Sequence, residues 1–443
     1  MLTLDPNCAV MGITMLVILF AAFTAMTRHG APQALAMPIV ACIFLGLQGD
    51  AAEDIVRRGF SHFADIAVLF TAVAVPAHQI ERSRGFQWFA SILGRRFGVL
   101  HLRWPRAAIP IMLTSVLVIT FVCAALFHNI TSILVVTPIA IRLCHSYGVY
   151  SRFLLCGMLV ASNLGGFSTK WGDTPNIIES RVWGLDNVAF LTEVLPVNLG
   201  VLTVLAVVVI VLTRRSMHDQ VNVRADERTA RTAVAAAAYG QARHEVAVDR
   251  RLLVVGLGVL GAFITLQAVF PHRQIAIGAM AIVAATLLDR ADHRLSTLKS
   301  LGHDVYLVFA SIFILAGCVE HSWIGNSLQN LIGSTGGAPW SIAVTGYLGT
   351  TFTEAASWAS AAATRIHPLN GSHTAAWALG AGICAGSSSI VTAASAGIVL
   401  CEESARFGDP AHVVTFRRYV GFGLSFSLLM LLIYIVYFTL AAF

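Results

Sequence analysis

Long apolar stretches separated by short polar loops dominate the sequence. A transmembrane helix needs roughly 17–25 mostly apolar residues. Five stretches approach or reach that length: 10–27, 107–127, 190–213, 252–270 and 419–443. Four shorter stretches are predicted to complete the bundle: 34–48, 63–80, 275–288 and 304–319. The pattern predicts an all-α polytopic membrane protein with about ten or eleven transmembrane helices.

Two further apolar stretches, 128–181 and 341–400, are interrupted by Gly, Ser, Thr, Asn, Pro and single charges. Irregular backbone at membrane depth survives only where protein or a water-filled cavity satisfies its polar groups. These stretches are therefore predicted to contain broken helices. They are the first candidates for a binding site.

The two halves of the chain resemble each other. Residues 65–83 align without gaps on residues 304–322 and share Asp, Phe, Ala, Glu and Ser at five positions. Each half also has an apolar run that ends in proline, 128–138 and 358–368, followed by small residues. Paired halves with interrupted helices are typical of secondary transporters, whose site lies between the breaks near the middle of the bilayer. We expect two structural repeats with broken helices, and the repeats are inverted if each has an odd number of crossings. The stretch between the basic loops at 81–106 and 142–152 is either a pair of crossings or a helix followed by a re-entrant hairpin that turns at Phe127–Asn129.

An arginine-rich polar segment, 214–251, divides the chain. Positive loops stay in the cytoplasm, so this segment is interpreted as a cytoplasmic linker. The expected organisation is an N-terminal transmembrane helix at 1–32, a first repeat at 33–213, the linker, and a second repeat at 252–443. The N-terminus has no basic region or cleavage site, so the first helix is expected to be retained. A multi-pass protein of the cytoplasmic (inner) membrane is expected.

Composition excludes several classes of function. Hydrophobic residues make up 57% of the 443 residues and charged residues only 12%, whereas soluble domains carry about 25% charged residues. A soluble enzyme, a nucleic-acid-binding domain and a disordered chain are excluded. The sequence contains no HExxH or GxSxG, and its eight cysteines form no CxxC. No catalytic residues, bound metal or resident cofactor are therefore expected.

The segment ASNLGGFSTKWGDTPNIIES, residues 161–180, carries the strongest chemical signal. Gly165 and Gly166 permit a departure from helix, and Pro175 breaks the hydrogen-bond ladder. Neutral polar side chains surround them: Ser162, Asn163, Ser168, Thr169, Thr174 and Asn176. Such groups suit a partly dehydrated cation or a polar substrate, although small polar residues also serve to pack helices closely. We favour binding, because a lysine, an aspartate, two glycines and a proline pack poorly together.

This segment resembles the GG-x-x-T-x-x-G-D-P-P-N signature of the ion transporter superfamily. That group includes arsenite permeases, sodium–proton antiporters, the P-protein, and citrate and divalent-anion–sodium symporters. DVYLVFASIFILAGCVEHSWIG, from residue 304, is similar to the family's F-x-G-L-F-V-L-V-G-G-L-E-x-T-G. The resemblance covers most of the chain from about residue 33. It implies a homodimer in which each protomer has a scaffold domain and a transport domain that moves past it, as in an elevator.

The resemblance also implies site residues. It places Asn129 at the first hairpin tip, and it lines the first broken helix with Ser162, Asn163, Thr169, Asp173, Thr174 and Asn176. The second half departs from the family because it has no Asn at its tip or break. It offers instead Glu354, Ser357, Ser387, Ser388, Ser389, Thr392 and Ser395. The departure weakens a sodium-symport assignment, although a candidate sodium site remains near Asn129, Asn163 and Asp173.

Three basic side chains in the interrupted stretches are candidates for a role in binding or coupling. An intramembrane Lys or Arg is costly unless it is paired or functional. Lys170 and Arg365 either bind an anionic substrate or stand in for coupling cations, or they form structural pairs with Asp173 and Glu354. His128, at the hairpin tip, is a candidate proton carrier. The alternative for His128 is a hydrogen-bonded structural role.

These features predict a secondary active transporter that moves a small ion or organic anion by alternating access. Protons, sodium or counter-exchange are the candidate couplings. The alternatives are a sodium–proton antiporter, in which Asp173 and Glu354 alternate between cation and proton, and an ion channel. The repeat favours alternating access over a channel. The expected partners are the solute, the lipid bilayer and a second copy of the chain, without nucleic acid.

Overall fold

The computed structural model describes residues 33–218, 247–270, 273–289, 303–320, 332–335, 337–352, 355–406 and 412–440, with isolated positions 14, 17, 18, 21, 294, 322, 327 and 330. Within these residues the chain is helical and contains no strand. The first half forms α1 (Gln33–Gly46), α2 (Ala52–Arg82), α3 (Gly85–Arg103), α4 (Pro105–Phe127), α5 (Asn129–Ser146), α6 (Arg152–Phe167), α7 (Thr174–Trp183) and α8 (Leu195–His218). The second half forms α9 (Arg250–Val269), α10 (Gln274–Leu288), α11 (His303–Glu320), α12 (Pro339–Phe352), α13 (Ala355–Ile366), α14 (His373–Ser387), α15 (Ser395–Arg406) and α16 (Phe416–Leu440).

The apolar stretches predicted from the sequence are helical wherever the structure describes them. Segments long and apolar enough to cross a membrane are Ala107–Phe127, Asn129–Ser146, Asn187–Ser216, Arg250–Gln267 and Phe416–Leu440. Shorter apolar helices include Leu35–Gly46, Arg152–Phe167 and Ile275–Leu288. The protein is therefore a multi-pass integral membrane protein. The stretch 10–27 and most of the linker at 214–251 lie outside the described residues.

Helices α4 and α5 form a hairpin that turns at His128, as expected from the sequence. The hydroxyl of Ser132 on α5 donates to the carbonyl oxygen of Thr120 on α4 at 2.9 Å. His128 has φ 78° and ψ 147°, a conformation that residues other than glycine rarely adopt. The tip expected in the second half, with Glu354, lies outside the described residues.

Both predicted helix breaks are present. Helix α6 ends at Phe167 and α7 begins at Thr174, while α14 ends at Ser387 and α15 begins at Ser395. The side chain of Asp173 accepts a hydrogen bond from the backbone N–H of Thr174 at 2.9 Å. This bond satisfies one of the unpaired donors that every helix N-terminus exposes, and Pro175 fits the first turn because it lacks a donor.

Helices α6 and α14 form the centre of the bundle around the breaks. All residues of Leu154–Phe167 are buried, and so are all residues of Ala375–Ser387. A helix that is buried all round must be surrounded by protein. Helix α6 packs against α4, α5 and α8, and α14 packs against α12, α13 and α16.

The expected departure from helix at Gly165 and Gly166 is wrong, because both residues lie inside α6. Gly165 instead permits close packing, since a Cβ there would overlap the carbonyl oxygen of Phe121 on α4. Gly382 on α14 has the same relation to Ala343 on α12. Because glycine has no side chain, Gly165 and Gly382 let these helices pack with their backbones in contact. The first break therefore comprises residues 168–173.

Candidate solute site

The tip of the α4–α5 hairpin lies against the first break. The backbone N–H of Asn129 donates to the carbonyl oxygen of Gly172 at 3.1 Å. Nε2 of His128 lies 3.3 Å from the hydroxyl of Thr174, and the hydroxyl of Ser162 donates to the carbonyl oxygen of Asn129 at 3.0 Å. These bonds bring together the tip and break residues that the sequence predicted to form one site.

Side chains within the first break hold its irregular backbone. The side-chain amide of Asn176 donates to the carbonyl oxygens of Gly166 at 2.8 Å and Thr169 at 2.7 Å. The hydroxyl of Thr169 donates to the carbonyl oxygen of Ala125, near the end of α4, at 2.8 Å. Buried carbonyls that lose their helical partners need others. Asn176 and Thr169 therefore shape the break, which leaves fewer of their own polar atoms for a ligand.

The second break is built from serines. The hydroxyl of Ser389 donates to the hydroxyl of Thr351 at 3.1 Å, which ties the break to the end of α12. The hydroxyls of Ser387 and Ser388 both donate to the carbonyl oxygen of Cys384 at 2.9 Å. Hydrogen bonds from these serines stabilise the second break, as those from Asn176 and Thr169 stabilise the first. A break therefore forms in the second half although that half lacks the family's asparagines.

A side-chain hydrogen bond joins α6, the helix that leads into the first break, to the second break. The side-chain N–H of Asn163 on α6 donates to the hydroxyl of Ser388 at 3.0 Å, across 225 positions of sequence. Both residues are buried. The two interrupted segments thus meet inside the protein, which is the arrangement that the sequence predicted for a solute site.

Several buried polar atoms around this junction have no hydrogen-bond partner within the described part of the chain. They include the side-chain oxygens of Asn129 and Asn163, the hydroxyl of Thr392 and Nδ1 of His128. Buried polar groups are normally hydrogen-bonded, so unpaired ones require a reason. The oxygens of Asn129 and Asn163 can accept hydrogen bonds, and the hydroxyl of Thr392 and Nδ1 of His128 can accept or donate them. Ser395, at the start of α15, is half-buried.

Two tyrosines and an asparagine that the sequence reasoning missed support the breaks from outside. The side-chain amide of Asn198 on α8 donates to the hydroxyl of Ser168 at 2.9 Å and to the carbonyl oxygen of Leu164. The hydroxyl of Tyr434 on α16 donates to Asn198 at 2.6 Å, and that of Tyr419 donates to the carbonyl oxygen of Ser388 at 2.7 Å. The sequence feature that could have identified these three residues is a polar side chain inside an apolar stretch.

The alternative in which Lys170 forms an ion pair with Asp173 is wrong. The ammonium group of Lys170 donates to the carbonyl oxygen of Leu185, beyond the end of α7, at 3.2 Å. Asp186 is the acidic residue whose negative charge attracts this ammonium group. Arg365 is half-buried on α13, which packs against α7. The partner considered for it, Glu354, and the side chain of Ser357 are outside the description.

No group of three or more His, Cys, Asp or Glu side chains that could hold a metal ion occurs in the described ranges. The junction offers neutral amide and hydroxyl groups instead. A helical membrane bundle whose hairpin tip and two helix breaks meet at such a buried polar cluster has the features of a secondary transporter.

Comparison with known proteins places the chain in a family of such transporters. The family model described as Citrate transporter (CitMHS) matches residues 4–382, so the chain belongs to this family. It is 25% identical over 409 residues to the Magnetosome protein MamN of Paramagnetospirillum magneticum, covering 87% of both chains. It is 25% identical over 421 residues to an uncharacterized transporter of Mycobacterium tuberculosis, covering 89% of this chain and 91% of the relative. The resemblance to the ion transporter superfamily is confirmed, and the protein is a transporter rather than an enzyme.

Proposed function

We propose that the protein moves an organic anion of the citrate class, a small polycarboxylate, across the cytoplasmic membrane by alternating access coupled to protons. The hydrogen bond from Asn163 to Ser388 supports this proposal, because it connects the helix that leads into the first break with the second break inside the protein. The family described as Citrate transporter supplies the substrate class. Counter-exchange of one anion for another uses the same alternating-access movement in both directions and transports no net proton.

The chemistry of the junction suits a polycarboxylate. Helices α7 and α15 begin at the breaks, and helix N-termini carry positive dipole ends that favour anionic groups. The hydroxyl and amide groups of the breaks offer hydrogen-bond donors to carboxylate and hydroxyl oxygens. In broken-helix transporters the substrate carboxylate is held in this way.

The packing supports an inverted-repeat architecture. Helix α5 of the first half packs on α15 of the second, and α13 of the second packs on α7 of the first. The pairs α4–α6 and α12–α14 correspond in the same way, as do α6–α8 and α14–α16. We infer that the repeats at 33–213 and 252–443 interlock around the site, joined by the segment at 214–251.

Two groups of helices support a division into scaffold and transport domains. Helices α1, α2, α9, α10 and α11 pack against one another, while α4 to α8 and α12 to α16 pack around the breaks. We infer that the second group moves past the first as an elevator. Exposed apolar side chains on α9 and α10, including Val254, Met280 and Val283, offer the scaffold a face for lipid or for a second copy in a homodimer.

Uptake of radiolabelled citrate into proteoliposomes tests this function. We expect saturable citrate uptake driven by a pH gradient, and the same uptake when sodium is replaced by choline. Liposomes without protein are the control. Absence of citrate uptake and of citrate counterflow would contradict the proposed substrate, and single-channel conductance steps would contradict alternating access.

A sodium-coupled function is the second candidate, and one observation favours it. The unpaired side-chain oxygens of Asn129 and Asn163 lie beside the same tip and break, and neutral oxygens suit a dehydrated cation. Citrate uptake that requires sodium would identify a symporter. A sodium-driven pH change without organic anion would identify a sodium–proton antiporter. In the antiporter, Asp173 and Glu354 would exchange the two cations.

Replacing Lys170 with methionine is expected to lower stability without weakening citrate binding. The ammonium group bonds to the backbone at Leu185, and losing a charged hydrogen-bond donor costs about 1.5–3 kcal/mol. Thermal unfolding of the purified variant, with and without citrate, measures both effects. Lys299→Met, which removes the only other lysine in the chain, is the matched control. A folded Lys170→Met protein that no longer binds citrate would show that the ammonium group contacts the substrate.

A further inference from the structure

A buried glutamate without a hydrogen-bond partner among the described residues lies on α7, the helix that leads out of the first break. Glu179, on α7, is fully buried with 0% exposure. Neither of its carboxyl oxygens has a hydrogen-bond partner among the described residues, and no Lys, Arg or His nitrogen there forms an ion pair with it. The function proposed above does not use this side chain, and the sequence reasoning did not select it.

An ionised carboxylate is very costly in such a place. Removing a charge from water without a partner costs several kcal/mol or more, whereas a neutral carboxylic acid costs far less. Burial without a partner therefore favours the protonated, neutral form of Glu179 in this conformation. Intramembrane ionisable residues of this kind mark ion pathways and proton relays in transporters.

The carboxyl group contacts the other half of the protein through a position without a side chain. A Cβ on Gly380 of α14 would lie 2.6 Å from Oε2 of Glu179 and would also strike the ring of Phe167. Gly380 thus leaves the room in which the carboxyl group sits. Because α14 leads into the second break and α7 leads out of the first, Glu179 lies between the two segments that form the site.

The ionisable groups around Glu179 do not neutralise it. The carboxylate of Asp173, at the start of the same helix, repels a negative charge on Glu179. This repulsion further favours the protonated form of Glu179. The other ionisable groups on its own helix and on the packed helices are Arg181 on α7, Arg365 on α13, and His373 and Cys384 on α14. Arg181 and His373 are exposed and none forms an ion pair with Glu179.

We propose that Glu179 is the proton-carrying group that couples transport to the pH gradient. Its carboxylate takes up one proton when the site opens to the acidic side, and it crosses as the neutral acid together with the bound anion. On the other side water reaches the carboxyl group, and proton and anion are both released. The empty carrier then returns with Glu179 as a carboxylate hydrated by water in the vacated site, so each cycle moves one proton with one anion. The proposal rests on the proton-coupled function proposed above. It assigns the coupling to a residue outside the hydrogen-bonded breaks.

The test compares accumulation with exchange. With membrane potential clamped and a one-unit pH gradient, one coupled proton permits about tenfold accumulation of radiolabelled citrate. We expect Glu179→Gln, a neutral side chain of the same shape, to reduce the accumulation ratio to about one, while citrate counterflow at equal pH remains measurable. Glu193→Gln is the matched control, because that exposed glutamate accepts a hydrogen bond from Trp377 and should accumulate citrate as the wild type does.

A spectroscopic measurement separates this proposal from the function on which it rests. We expect infrared spectra of the wild type at neutral pH to contain the carbonyl stretch of a buried protonated carboxylic acid, and Glu179→Gln to lack it. Wild-type protein with that band but no citrate counterflow would overturn the citrate function and leave the proton site standing. Absence of the band, or pH-driven accumulation by Glu179→Gln at the wild-type level, would overturn the role of Glu179.

Discussion

Replacing Gly165 with alanine is expected to destabilise the protein by about 3 kcal/mol or more and to abolish transport. The added Cβ would overlap the carbonyl oxygen of Phe121 and would lie 2.8 Å from its carbonyl carbon. Backbone atoms of a buried helix cannot rotate away as a side chain can, so α4 and α6 must separate. Separation would also move the hairpin tip away from the first break, because α4 ends at that tip.

Thermal unfolding of purified Gly165→Ala in detergent, together with citrate uptake, measures these effects. Gly200→Ala is the matched control, because Gly200 is an exposed residue of α8 with no atom within 4 Å of an added Cβ. We expect the control to be neutral or more stable by up to about 1 kcal/mol, since alanine is the better helix former. Wild-type unfolding and uptake in Gly165→Ala would show that the two helices do not pack through this glycine.

Replacing Asn163 with alanine is expected to lower citrate uptake at least about tenfold while the protein remains folded. The change removes the bond that joins α6 to Ser388 in the second break, and it removes a buried amide oxygen that has no hydrogen-bond partner among the described residues. A lost hydrogen bond of about 1.5 kcal/mol alone corresponds to roughly a tenfold change in an equilibrium constant. The effect should exceed this if the amide also contacts the substrate.

Initial rates of citrate uptake at several concentrations, on protein checked for a normal unfolding temperature, make this measurement. Thr345→Ala is the control, because the buried hydroxyl of Thr345 bonds to the carbonyl oxygen of Ser341 in its own helix, outside the breaks. We expect the control to transport within about twofold of the wild type, since such a bond contributes little net stability. Wild-type uptake by Asn163→Ala would exclude the junction as the substrate site.

The helices and the two breaks were predictable from the sequence because a bilayer leaves the backbone few choices. Apolar length fixes the helices, and clusters of Gly, Ser, Thr and Pro at membrane depth mark where helix cannot continue. The hairpin tip at Asn129 was implied by the resemblance to the ion transporter superfamily, while the meeting of the interrupted segments was expected from the paired halves. The bond between Asn163 and Ser388 was not specified in advance, because the sequence does not give the rotation of one buried helix against another.

Single side chains were harder to predict. Gly165 was expected to end a helix, but in a membrane bundle glycine also permits close packing, and the sequence does not distinguish these uses. Lys170 was considered as a partner for Asp173 three positions away, but both residues lie in the non-helical break between α6 and α7, so helical spacing does not apply. Glu179 was missed because a glutamate near the end of a short helix looks solvent-exposed until its neighbours are known.

The positive φ of His128 bears on how the carrier changes state. A non-glycine residue in such a conformation costs about 1–3 kcal/mol, which surrounding contacts such as the ring of Phe70 at 5.6 Å must offset. An energy difference of that size changes the ratio of two conformers by about 5- to 150-fold. Under the proposed function, a solute that binds or leaves beside the hairpin tip therefore has to change only this small free-energy difference to shift the tip between two conformers.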